Sequence, residues 1–193
     1  MKLAAHEAQE LRELALSCCN SIVNMAYFRS HTKDPELRAM IERHFPFHVQ
    51  DYNMKVEYLT KMEGAQTKLP LPDLNVALRS YTESPSANYS PVTPRVDVQD
   101  FTDQEIATAY LLTLKRAGRE YAWAAMDASH PQIRLFLEDA FRMSCRNAYD
   151  VWQWMVKKGY YPVAAAPQQE LQTMGQVFQT VQSPIGTTPM QLQ

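Results

Sequence analysis

The stretch over residues 64–101 constrains this chain more than any other. It begins GAQTKLPLPDLNVAL, closes on SPVTPRVDVQD before Phe101, is rich in proline and has no helical period. A loop of that length is unusual inside a compact domain and needs a structural reason. It divides the chain into halves, each with two segments whose apolar residues recur at helical spacing. A loop that runs the length of a bundle leaves the helices it joins parallel. The tight connections within each half force antiparallel neighbours.

The expected fold is therefore all-α, a ferritin-like four-helix bundle with one long crossover between helices 2 and 3 and a short C-terminal helix and tail. The helices are expected over about 5–31, 34–62, 102–128 and 131–158, within a bundle spanning 1–160. Leu11, Ala15, Cys18, Ile22 and Met25 form the stripe of the first helix. Asp34-Pro35 supplies an N-cap and a proline at the first position of the second. Leu37, Ile41, Phe45, His48, Tyr52, Leu59 and Met62 are expected to point inward from it. Thr102 and Glu105 form a capping box for the third, with Phe101 and Ile106 placed for a hydrophobic staple. Ser129, His130 and Pro131 open the fourth, and Gly159 ends it. The second and fourth helices begin alike: DPELRAMIERHF (34–45) lies on HPQIRLFLEDAF (130–141), pairing Pro35 with Pro131, Arg38 with Arg134 and Glu42 with Glu138. Two hairpins related by pseudo-symmetry would produce that match.

At 193 residues the chain is long enough for one domain with a full core. Its net charge of −2 gives no reason to expect nucleic acid or an anionic membrane as partner. The opening MKLAAHEAQE turns charged too early for a signal peptide, and no run is long enough for membrane insertion. Three cysteines, Cys18, Cys19 and Cys145, form no disulfide framework and suit a reducing cytosol.

HFPFH (44–48) places two histidines four apart on a helix, a spacing at which both can grip one metal ion. A dinuclear carboxylate site would demand a Glu from each of two helices and Glu-x-x-His from the other two. The matching positions read Glu42-Arg-His-Phe45 and Glu138-Asp-Ala-Phe141, with Phe in place of His. The facing helices offer Asn24, Phe28, Tyr121 and Ala125, and no acid is expected at that level. Cys18, His48 and Cys145 come to a similar height at ~1.5 Å of rise per residue and could hold zinc. Burial of the thiols and a hydrogen-bonded core His is the favoured reading. His44 is expected at the edge or in solvent, with Pro46 bending the helix locally. No metal, cofactor or catalytic residue is assigned. Trp123, Trp152, Trp154, Tyr121 and Tyr149 read mostly as core, with a pocket for an apolar ligand as a lesser reading.

The tail, 161–193, carries a short amphipathic helix over about 167–182 that starts at Pro167. Leu171, Met174, Phe178 and Val181 share one face, which must be covered by the bundle or by a partner. SPIGTTPMQLQ has little to pack and is expected to be mobile.

Taken in order, LAAHEAQELRELALSCCNSI (3–22), KDPELRAMIERHF, FTDQEIATAYLLTLKRAGREYAWAAMDASHPQIRLFLEDAF and KKGYYPVAAAPQQELQ resemble the spore coat protein F family of endospore-forming bacteria. The likeness spans nearly the whole chain except the crossover and the last residues. It implies a bundle made in the mother-cell cytoplasm and deposited in the spore coat, with a structural and non-enzymatic role and no catalytic residues to carry over. Its expected partners are other spore coat proteins or itself, as a homo-oligomer. The glutamines Gln168, Gln169, Gln172, Gln176 and Gln179 are candidates for crosslinking to lysines. The alternative is a metal-binding redox or storage protein on the same bundle, which inward acids and Glu-x-x-His pairs would favour.

Overall fold

The structure, a computed structural model, describes residues 2–78 and 92–181. The middle of the crossover, 79–91, lies outside the described residues, as do position 182 of the expected tail helix and SPIGTTPMQLQ after it. The described residues form five helices: α1 (Ala5–His31), α2 (Pro35–Thr60), α3 (Asp103–Asp127), α4 (Pro131–Lys157) and α5 (Gln168–Gly175). The chain divides into two compact units, Met1–Pro162 and Val163–Gln193.

Local chemistry fixes the helix ends. The Asp34 carboxylate accepts from the backbone N–H of Glu36 and Leu37 at 2.9 and 3.0 Å, and Pro35 needs no partner at the first position. Thr102 and Glu105 close a reciprocal capping box on α3. At the end of α4, Gly159 takes φ 74°, a conformation open to glycine, and lets Tyr160 N–H reach the Met155 carbonyl at 2.8 Å. Pro46 sits on the exposed side of α2, and α2 continues through it.

In the first unit α1 packs against α2 and α3, and α4 against α3 and α2. His6 near the start of α1 meets the Asp127 carbonyl at the end of α3, so these two are antiparallel. The starts of α2 and α3 lie together, because Asp103 accepts from the N–H groups of Lys33 and Asp34. α2 and α3 are therefore parallel, as the long crossover requires. Its described part is held on α4: Gln153 Oε1 accepts from Ala77 and Leu78 N–H at 2.6 and 2.9 Å, and its Nε2 donates to the Asn75 carbonyl at 2.8 Å. Leu69 and Leu78 of the crossover are buried.

The internal match extends well beyond the two helix starts. The shift that lays Pro35 on Pro131 also lays buried Leu11, Leu14, Cys18, Ser21, Met25 and Phe28 on buried Ala107, Tyr110, Leu114, Ala117, Tyr121 and Ala124. Arg38 donates to the carbonyl of Thr32 at the end of α1, and Arg134 to its counterpart Ala128 at the end of α3. The hairpins also cap each other. Glu7 accepts from Ser129 and His130 N–H, both at 2.7 Å, as Asp103 accepts from Lys33 and Asp34. Burial works against ionisation of Glu7, but these bonds and one from Ala4 N–H outweigh it and hold the carboxyl below its usual range.

Several expected positions are corrected. α2 turns Asp51, Met54, Lys55 and Tyr58 inward, while Tyr52 is only partly buried, Leu59 is exposed and Met62, past the helix end, is 82% exposed. Trp123 is 75% exposed. α5 ends at Gly175, a weak helix former, leaving Phe178 and Val181 beyond it.

A buried polar layer as the candidate functional site

The apolar core falls into two clusters. One gathers Leu11, Met54, Tyr58, Ile133, Phe136 and their neighbours, the other Met25, Leu37, Ile41, Ile106, Val151 and Trp154. Between them the inward positions are largely polar: Cys18, Ser21, His44, His48, Asp51, Ser144 and Asn147, all buried.

Asp51 and Lys55, one turn apart on α2 and each wholly buried, form an ion pair. The second Asp51 oxygen accepts from Tyr121 Oη at 2.6 Å and from Cys18 Sγ at 3.1 Å. Lys55 Nζ lies 3.4 Å from both Cys18 Sγ and Tyr121 Oη, and 4.7 Å from the centre of the Tyr121 ring. Burial pushes the Cys18 thiol up to about 12 and the Tyr121 phenol well above its ordinary value, with the Asp51 charge adding to both. Both therefore stay protonated at neutral pH and serve as donors to the carboxylate.

A second group adjoins it. His44, which the sequence placed at the edge, is buried, with Nδ1 3.0 Å from Tyr110 Oη and Nε2 3.2 Å from Asp150. His48 Nε2 meets Asn147 at 3.3 Å and Tyr110 Oη at 3.5 Å. Burial lowers both imidazoles, His48 to about 4, so His48 is neutral at ordinary pH. Ser144 Oγ, Asn147 Oδ1 and Asp150 Oδ1 are buried without a partner, positions that ordered water commonly satisfies.

The expected absence of inward acids is overturned, since Asp51 is wholly buried and Asp139 and Glu7 are nearly so. Asp51 is paired with the Lys55 ammonium. Cys18, His48 and Cys145 are not brought together: Cys145 is exposed on α4, and Cys18 turns to Asp51. Among the described residues no group of three or more His, Cys, Asp and Glu is placed to hold a metal ion. Trp154 and Tyr121 are core residues, whereas Tyr149 and Trp152 stack at 5.4 Å on a partly buried face. Leu16 and Trp123 line an open groove of about 560 Å³ between α1 and α3, rimmed by Glu10, Glu13, Arg119 and Glu120. No described helix is long and apolar enough to cross a membrane. In the second unit Leu171, Met174, Phe178 and Val181 are exposed.

Comparison with known proteins points one way. Residues 102–164 match the model of the Coat F domain. Over 184 residues the chain is 22% identical to the spore coat protein F-like protein YhcQ of Bacillus subtilis (strain 168), covering 95% of this chain and 83% of that one. It is also similar to a crystal structure from Bacillus halodurans C-125, described as a candidate spore coat protein. That match has a TM-score of 0.64 and 13% identity, over 87% of this chain and 97% of the other.

Proposed function

We propose, from the match of residues 102–164 to the Coat F domain and the likeness to YhcQ, that the chain is a structural component of the bacterial endospore coat, made in the mother cell and working through self-association or binding to other coat proteins. The observation that carries this reading beyond resemblance is the state of the polar layer. At the centre of the bundle Asp51, Lys55 and Tyr121 bond one another, and His44 and His48 both meet Tyr110, each residue nearly or wholly buried. Such a layer sets helix register and resists change. A site that turned over substrate would need an opening to its reacting groups.

The association surface we assign is the tail stripe of Leu171, Met174, Phe178 and Val181, apolar residues three or four apart and exposed. Ending the chain after Pro162 keeps Tyr160, which completes the cap of α4, and Tyr161, whose hydroxyl takes Lys115. Sedimentation of both forms should show association lost with the tail, and urea unfolding should show the bundle midpoint unmoved. A lowered midpoint with association intact would mean that the stripe serves its own bundle instead.

A further inference from the structure

The geometry points to a modification site that the structural role does not use: Lys55 Nζ and Cys18 Sγ are placed to form a covalent nitrogen–sulfur link under oxidation by a peroxide. The two atoms lie 3.4 Å apart in direct contact, on α2 and α1. Both side chains are buried, Lys55 wholly and Cys18 to within 4%, so a sulfenic acid formed there would be shielded from other thiols. Cys19 and Cys145 are exposed and have no comparable amine described beside them. Asp51 contacts both reacting groups and is the base that an ammonium needs before it can attack.

The chemistry balances in two steps. Peroxide transfers one oxygen to the thiol, giving Cys18 sulfenic acid and water; sulfur loses two electrons and the O–O bond is reduced. Lys55 then passes one ammonium proton to Asp51, and the free amine attacks sulfur. The S–O bond breaks, and the departing hydroxide leaves as water with a second proton from nitrogen. The products are a Lys55–Cys18 sulfenamide, protonated Asp51 and water. A buried ion pair becomes a neutral link and a neutral acid, which suits a low-dielectric site. Burial admits peroxide to Cys18 only when the bundle opens locally, and the raised thiol pKa keeps the thiolate scarce, so the first step is slow and the link belongs to prolonged oxidation rather than to rapid signalling.

The test uses the full chain with Cys19→Ser and Cys145→Ser, which removes the other thiols. The folded protein is held in hydrogen peroxide, denatured, treated with an alkylating reagent and digested for mass spectrometry. The expected product is a joined pair of peptides containing Cys18 and Lys55, lighter than their sum by two hydrogens and released by a dithiol reductant. The treated protein should also unfold at higher temperature than the untreated one, because α1 and α2 are then tied. Recovery of Cys18 as the alkylated thiol, or as sulfinic or sulfonic acid without the joined pair, would overturn the proposal. So would equal yield of the pair from protein oxidised in denaturant, where the folded juxtaposition is gone.

Discussion

At the scale of single residues, Asp51 and Lys55 decide how the centre of the bundle behaves. Removing one partner of a buried pair strands the other charge. Lys55→Ala should therefore cost about 3–5 kcal/mol in urea unfolding, while the joint replacement Asp51→Leu with Lys55→Met should cost far less. Similar losses for both variants would mean that the pair is not the source of the effect. The sequence hid this pair because Asp and Lys four apart on a helix look like a solvated couple. The neighbouring Tyr52 and Leu59 offered a more apolar stripe, one position off the true one. His44 was misplaced for a related reason, since its partners Tyr110 and Asp150 are 66 and 106 residues away. His48 gives the layer a pH dependence. Its imidazole ionises at 6.5 when exposed but only near 4 in the fold, so the unfolded chain binds the proton first. Stability is full above 6.5, falls as pH drops through that window, and has lost about 3 kcal/mol from this group once below 4. His48→Gln should flatten that part of the profile of unfolding free energy against pH. A slope unchanged by the substitution would assign the dependence to other groups, His44 first.

At the scale of elements, the two hairpins are built to one plan, and this was the most legible part of the chain. The proline and arginine shared by the second and fourth helices were visible in sequence. What they do was not, because a carbonyl six residues upstream gives no sequence signal. Arg38 and Arg134 each bind the carbonyls that end the preceding helix and so set the angle of each turn. Arg38→Ala and Arg134→Ala should each cost about 1–2 kcal/mol, as expected for a hydrogen bond from a charged donor that is partly exposed. The two turns have no described partner in common, so the double variant should show the sum within about 0.5 kcal/mol. Thermal or urea unfolding of the three variants settles it. Strong non-additivity would mean that the turns are coupled through Glu7 and Asp103, the carboxylates that tie each hairpin to the other's turn.

At the scale of the whole molecule, the question is what keeps two similar hairpins in one arrangement. Each could pair with the other in more than one direction, and apolar burial alone discriminates poorly among such choices. The polar layer helps, because Asp51 and Lys55 find their partners only when α1 and α3 bring Cys18 and Tyr121 to the same level. The crossover fixes the remaining freedom by joining the end of α2 to the start of α3 along the bundle. Its length and prolines announced that path, but the residue that holds it did not stand out. Gln153 is a polar side chain on a helix otherwise rich in aromatics at that point, and only the fold shows it satisfying three backbone groups of the crossover at once. Gln153→Leu keeps the volume and removes all three bonds, leaving Ala77 and Leu78 N–H and the Asn75 carbonyl without their partner. The expected loss is about 1–3 kcal/mol, with the layer and both apolar clusters intact. Limited proteolysis mapped by mass spectrometry should show cleavage rising around residues 72–78 while the circular dichroism of the bundle is unchanged. If cleavage there does not rise, burial of Leu69 and Leu78 is enough to hold the crossover, and the hydrogen bonds of Gln153 follow from its position instead of causing it.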